Sequence, residues 1–254
     1  MTSSSCFPRP EQIDELTRGL ELPFPALHDE HLALIADVLA LAWSDLAQTR
    51  GQILSAGTEA EINALMETRL NRMIDELPVW EQLVRSVARG KETLSFDGTN
   101  LEKRPDLSLH LWGRTPSFPL IVECKLIEAT SGKTRALYCN EGLKRFLTGE
   151  YGWAVREAFM LAYVRDQSTT ESCLVPFLRD TQKSTLGPYE ITGLSPAPGN
   201  LSHDVALSAH QRAFRYSGRR SPGDDPGPIS IWHLWVQVAE QASISADPTA
   251  ATAT

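Results

Sequence analysis

Two stretches of apolar residues early in the chain follow a helical period and predict a pair of helices. Residues 29–49 are apolar at positions 32, 34, 35, 38, 39, 41, 42 and 46, which predicts a helix buried over most of its circumference. A second helix is predicted to start at Thr58, because Thr58 and Glu61 have the spacing of a capping box and precede an apolar stripe. Pro78 is expected to end that helix, since proline disrupts a helix interior.

Shorter apolar runs after the second helix predict strands. Residues 107–112 alternate apolar and polar side chains, and residues 120–122 are continuously apolar, as in a central strand. The predicted order after the second helix is a strand at 93–96, a tight turn at 97–98, strands near 106–112 and 118–125, a helix at 134–148 and a strand at 158–164.

The rest of the chain adds elements to this core. A surface helix is predicted at 169–183, a loop rich in Gly, Pro and Ser at 184–200, and strands at 204–208 and 229–236. Residues 1–28 and 241–254 are expected to be flexible. The order of elements predicts an α/β fold in a single domain over 1–254, with a mixed central sheet flanked by helices and a core at 58–165.

Composition narrows the class of protein. The chain has 254 residues, 42% of them hydrophobic and 22% charged, as is ordinary for a soluble globular protein. None of the four cysteines form a C-x-x-C pair, which argues against a zinc knuckle or a disulfide framework and favours a reducing, cytoplasmic setting. No apolar stretch reaches the roughly 18 residues that span a bilayer, so no membrane association is expected.

Charged residues in the predicted hairpin are the strongest sign of chemistry. Asp106 follows Pro105 at the start of one strand, and Glu123 and Lys125 are predicted to lie at the end of the next. Side chains alternate along a strand, so Glu123 and Lys125 share a face while Cys124 points to the other. If the strands are neighbours, two carboxylates and an ammonium converge, and a divalent cation would relieve the repulsion between the carboxylates.

This arrangement resembles the PD-(D/E)XK nuclease superfamily, which has the restriction-endonuclease-like fold, over residues 58–165. The resemblance implies an αβββαβ core and an endonuclease that depends on Mg²⁺, with Mn²⁺ as a substitute. It implies that Asp106, Glu123 and the backbone carbonyl of Cys124 bind the metal, and that Lys125 orients the nucleophile and stabilises developing charge. Glu59 would complete the metal shell if it leans toward the sheet; alternatively it only favours the helix dipole.

The same resemblance implies a substrate groove along the helix that follows the motif. This groove would be lined by Lys133, Tyr138, Lys144 and Arg145, which lie in a first basic cluster at 133–145. Arg212 lies in a second basic cluster at 210–220. Lysine and arginine there would neutralise phosphates without reading sequence. The alternatives are that both basic clusters are solvated faces and that Tyr138 belongs to the apolar face of its helix.

The implied function is hydrolysis of phosphodiester bonds, most readily in DNA, as part of bacterial defence, with a homodimer or a partner protein for double-strand cutting. One alternative is a catalytically silent nuclease-like domain that binds nucleic acid or a partner. Another is an unrelated protein with an ordinary Asp106–Lys125 salt bridge. His210 and His233 have two interpretations. They are either a pair that binds metal or acts as a base, or histidines that only form hydrogen bonds within their strands.

Overall fold

A computed structural model describes residues 10–90, 93–97, 104–182, 187–196, 201–216 and 225–238. The segment 241–254, predicted to be flexible, and residue 98 of the predicted turn lie outside this part of the chain. The helices are α1 (Pro10–Leu16), α2 (Asp29–Ala56), α3 (Glu59–Glu76), α4 (Pro78–Leu83), α5 (Arg135–Tyr138), α6 (Lys144–Leu147) and α7 (Val175–Gln182). The strands are β1 (Val84–Ala88), β2 (Leu107–Leu111), β3 (Leu120–Ile127), β4 (Glu157–Val164), β5 (Ile191–Pro196), β6 (Asp204–His210) and β7 (Ile229–Gln237).

The two predicted N-terminal helices are α2 and α3. The capping box is present in full: the Thr58 side chain accepts from the Glu61 N–H, and the Glu61 carboxylate accepts from the Thr58 N–H at 2.8 Å. Pro78 ends α3 as predicted but also starts α4, because proline is tolerated in a first helical turn, where its missing N–H has no intrahelical partner. Helix α2 continues to Ala56 through a kink at Arg50.

Helix α2 is also long and apolar enough to cross a bilayer by length and composition, and half of its apolar window is buried inside the protein. Its buried side chains form part of the main core. Trp43 on α2 stacks on Tyr163 of β4, with ring centroids 5.1 Å apart, and its indole N–H donates to the carbonyl of Gln237 at 2.7 Å. The helix therefore packs on the sheet as a core element.

The described strands form one mixed, seven-stranded sheet in the order β1-β2-β3-β4-β7-β6-β5. Strands β3, β4 and β7 run parallel in the centre, and antiparallel strands flank them on both sides. Helices α2 and α3 cover one face with one apolar core. The segment from α5 to α6 and helix α7 cover the other face with a second core. The α/β class and the flanked mixed sheet are as the sequence predicts.

Three predicted features differ from the structure. The strand expected at 93–96 is irregular apart from a single bridge at Thr93, and the first strand is β1 instead. Strand β1 contains a bulge between Val84 and Ser86, which breaks the alternation on which strand prediction depends. Strand β5 forms within the loop predicted at 184–200, and α1 is helical within the segment predicted to be flexible, with Ile13 buried in a small third cluster.

Candidate functional site

The site lies where β2 and β3 separate. Their ladder ends at Val122, so in the described part of the chain the edge of β3 beyond this residue is free of a strand partner on that side. Side chains satisfy this edge: Asp106 Oδ2 accepts from the Cys124 N–H at 2.9 Å, and Glu59 Oε2 accepts from the Leu126 N–H at 3.0 Å. Because buried N–H groups need acceptors, the free edge fixes both carboxylates in place. Strand β3 thus continues to Ile127 rather than ending near Lys125 as predicted.

Four oxygen atoms from separate parts of the chain surround the ammonium of Lys125. The oxygens are Glu123 Oε1 at 2.8 Å, the Cys124 carbonyl at 2.8 Å, Glu59 Oε1 at 3.3 Å and Asp106 Oδ2 at 3.5 Å. Burial opposes the charge on Lys125, but the three carboxylates outweigh it and raise the pKa of the ammonium above its ordinary value. The structure therefore brings together every residue proposed to bind metal, and Glu59 leans toward the sheet as well as standing in the first turn of α3.

Glu123 is the most perturbed carboxyl group of this cluster. Its side chain is fully buried, and Oε1 accepts from Lys125 and from Arg145 Nη1, the latter at 2.9 Å. Oε2 is buried and has no hydrogen-bond partner within the described ranges of the chain. Burial, followed by the charge of Asp106, raises the pKa of Glu123 to about 7 against the opposing effect of Lys125 and Arg145. Two cations are thus not enough to keep this carboxyl fully ionised at neutral pH.

Two residues that the sequence analysis did not single out position Asp106. Asn63 donates from Nδ2 to Asp106 Oδ1 at 2.8 Å, and Tyr163 donates to Asn63 Oδ1 at 2.8 Å. Asn63 is buried and lies four residues after Glu59, on the same face of α3. A polar residue within the buried stripe of a helix was the available signal, since buried polar groups require partners.

A π-helical turn at Cys139–Leu143 joins α5 to α6 and brings Arg145 to the site. Gly142 in this turn packs closely on the sheet: a Cβ there would lie 3.6 Å from Glu123 Cγ and 2.5 Å from Met160 Cε. Arg145 Nη1 also donates to the Tyr151 hydroxyl at 3.1 Å. Arg145 is therefore a neighbour of Glu123 and not a free cation of a groove, although its side chain remains 32% exposed.

The other residues predicted to bind nucleic acid divide into two groups. Lys133 and Lys144 are partly exposed, and the Lys144 ammonium lies over the Tyr189 ring, 5.6 Å from its centroid. Tyr138 and Arg212 are buried, which removes both from any nucleic-acid surface. The Arg212 guanidinium donates to the backbone carbonyls of residues 152, 153, 155, 226 and 227, so it holds loops together.

The two histidines lie in a buried hydrogen-bonded chain away from the carboxylates. His210 Nδ1 donates to the Tyr189 carbonyl at 2.6 Å, so in the neutral ring Nε2 accepts from the Ser208 hydroxyl at 2.6 Å. Ser208 in turn accepts from His233 Nε2, and the Tyr138 hydroxyl donates to His233 Nδ1 at 2.8 Å. Burial lowers the pKa of His210 to about 4 and that of His233 to about 3. Both are hydrogen-bonded strand residues, the second of the two readings from the sequence.

Within the described ranges, no group of three or more His, Cys, Asp or Glu side chains is placed so that it could hold a metal ion. The carboxylates of this site are arranged around the Lys125 ammonium instead. No family model, curated protein or solved structure matches the chain. The resemblance to nucleases therefore depends on the motif, the order of elements and the geometry described above.

Proposed function

We propose that this protein is a metal-dependent nuclease with a restriction-endonuclease-like core, which hydrolyses phosphodiester bonds in DNA. The observation that carries the proposal is the convergence of Glu59, Asp106, Glu123 and the Cys124 carbonyl on Lys125. The order α3, α4, β1, β2, β3, α5–α6, β4 supports it, because apart from the short α4 it follows the αβββαβ order that the resemblance implies. A role in defence against foreign DNA, with a second copy or a partner for double-strand cutting, is part of the proposal and depends on the resemblance alone.

The residues present fit a divalent cation. Mg²⁺ prefers oxygen ligands and is bound through one or two carboxylates together with substrate phosphates. Asp106, Glu123 and the Cys124 carbonyl would hold it, with Glu59 as a further carboxylate. Glu123 Oε2 is an oxygen for which the described part of the chain supplies no donor. The chemistry that Mg²⁺ or Mn²⁺ supplies in such a position is polarisation of a phosphoryl oxygen and acidification of a water molecule.

The protein's own residues contribute position and charge. Asn63 and the Cys124 N–H fix the two oxygens of Asp106, so that carboxylate is held in one orientation. Lys125 has three donors on a side chain that is only 15% exposed, so its charge acts in a partly dehydrated site. There it would orient the attacking water and stabilise the negative charge that develops on the phosphate. Arg145 adds a second positive charge, and it donates to the same carboxylate oxygen of Glu123 as Lys125 does.

The first experiment is nicking of supercoiled plasmid with Mg²⁺, with and without chelator. We expect cleavage that stops with chelator, and loss of cleavage in Asp106→Ala, Glu123→Ala and Lys125→Ala, while metal-free binding at low salt is retained. Glu67→Ala is the matched control for Glu59→Ala, because Glu67 is also on α3 but accepts from the Arg89 N–H instead of Lys125. If a variant that combines these three substitutions cleaves as well as the natural protein, the enzyme hypothesis is wrong.

A second experiment concerns the substrate surface. Lys144 is partly exposed on the helix after the motif, so Lys144→Glu should weaken binding to all sequences and reduce the salt dependence of the affinity. Unchanged affinity would place the nucleic-acid surface elsewhere. Binding without any cleavage under every metal tested would favour a catalytically silent binding domain.

A further inference from the structure

A cavity of about 220 Å³ lies beside the carboxylate cluster. Its floor is formed by Ser108 and Ile121, which are paired across β2 and β3. Its walls include three aromatic rings, those of Phe118, Tyr151 and Trp153, all of them buried. Pockets for drug-sized ligands have volumes of about 300–1,000 Å³, so this cavity suits one planar ring system rather than a larger molecule.

The cavity neighbours the site through a shared face of β3 and through Tyr151. Ile121 and Glu123 are two residues apart on the same face of β3, which places them about 7 Å from each other along the strand. Tyr151 lines the cavity, and its hydroxyl accepts from the same Arg145 nitrogen that donates to Glu123. A group attached to a phosphate near Lys125 and Arg145 would therefore meet the cavity within the length of one sugar.

The floor of the cavity carries an unused polar group. Ser108 is 1% exposed, and its hydroxyl has no hydrogen-bond partner among the residues that the structure describes. Buried hydroxyl groups are almost always paired, so one without a partner in a cavity lining indicates a ligand that supplies the partner. The lining therefore favours a flat ring, because its walls are aromatic, and a small local movement would bring the buried Ser108 hydroxyl to the polar edge of that ring.

We propose that this cavity binds a nucleobase of the substrate, next to the phosphate that is cleaved. The inference depends on the proposed nuclease function and specifies its substrate: a strand whose base is out of the stack, either single-stranded or flipped at that nucleotide. Aromatic rings stack on any base with little dependence on sequence, and a hydroxyl at the base edge adds a hydrogen bond. The positive charge of Lys125 and Arg145 meets the phosphate of the same nucleotide.

The test is calorimetric titration of the metal-free protein, in chelator, with the four deoxynucleoside monophosphates and with deoxyribose 5-phosphate, which has no base. We expect the best nucleotide to bind at least tenfold more tightly than deoxyribose 5-phosphate. Ser108→Leu fills the cavity and should remove this difference, and Ser108→Ala should reduce it severalfold. Ser86→Leu, on the exposed face of β1, is the matched control and should leave it unchanged.

Equal affinity for the nucleotides and for the baseless sugar phosphate would overturn the inference. So would a folded Ser108→Leu variant that prefers nucleotides over deoxyribose 5-phosphate as strongly as the natural protein does. If Ser108→Leu does not fold, Ser108→Ala and the comparison with the baseless compound decide. Because the titration needs no cleavage, base-dependent binding by a protein that never nicks DNA supports the pocket and refutes only the nuclease. Conversely, equal cleavage rates for intact and fully abasic single strands refute the pocket and leave the nuclease standing.

Discussion

Replacing Glu123 by Gln should make the protein more stable at neutral pH while abolishing cleavage. The Glu123 carboxyl is fully buried, and burial together with the Asp106 charge raises its pKa to about 7 from an ordinary value of 4.5. An unfolded chain therefore ionises this carboxyl more readily than the folded protein does. Glutamine keeps the shape of the side chain and an oxygen for Lys125 and Arg145, but it removes the charge that is costly to bury.

The magnitude follows from the two pKa values. Below pH 4.5 the carboxyl is protonated in both states, so its titration contributes nothing to the difference between the proteins. Between pH 4.5 and 7 the folded protein binds more protons than the unfolded chain, so its stability falls by about 1.4 kcal/mol per pH unit. The Glu123→Gln variant does not lose this stability. Its unfolding free energy should therefore exceed that of the natural protein by an amount that grows to about 3 kcal/mol at pH 7 and levels off above it.

Urea denaturation in chelator, repeated from pH 4 to 8 on both proteins, measures the difference in unfolding free energy at each pH. Taking the difference cancels the shared groups that do not interact with Glu123. Glu81→Gln removes the same charge from an exposed position and should show no comparable pH-dependent gain. The reasoning fails if Glu123→Gln is less stable than the natural protein at pH 7.5, or if the difference does not vary with pH.

Three further perturbations test other parts of the structure. Thr58→Ala removes the cap of α3 and should lower the unfolding free energy by about 1 kcal/mol in urea denaturation; no change would mean that the cap is not needed. Gly142→Ala places a Cβ 2.5 Å from Met160 Cε in a buried site, so we expect a loss of about 1–3 kcal/mol by the same measurement, and a neutral result would show that the turn has room. His210 and His233 have folded-state pKa values of about 4 and about 3, below the ordinary 6.5. Above pH 6.5 both rings are neutral in the folded and the unfolded protein, so the stability that the neutral rings contribute is fully present there. It should decline by about 1.4 kcal/mol per histidine per pH unit as the pH falls from 6.5 toward the folded-state values. The check is the difference in unfolding free energy between the natural protein and the variant that combines His210→Gln and His233→Gln, which should change with this slope, and a difference that does not vary with pH would contradict it.

The sequence alone determined the local features of this protein. The period of apolar residues located α2 and α3, and the spacing of Thr58 and Glu61 located a capping box. Alternation located β2, and a continuous apolar run located β3. These depend on neighbours within about one helical turn or on the two faces of a strand, so they can be read from a short window of sequence. Likewise, Glu123 and Lys125 could be placed on one face of β3 because they are two residues apart.

Tertiary structure decided everything that depends on distant parts of the chain. Whether Glu59 turned toward the sheet or only faced solvent depended on the free edge of β3, which exists because β2 and β3 separate after Val122. The support of Asp106 by Asn63 and the burial of Arg212 likewise depend on which elements pack together. Hydrogen bonds between segments tens of residues apart leave no periodic trace in the sequence, because the sheet order and the packing of helices on it determine which groups meet.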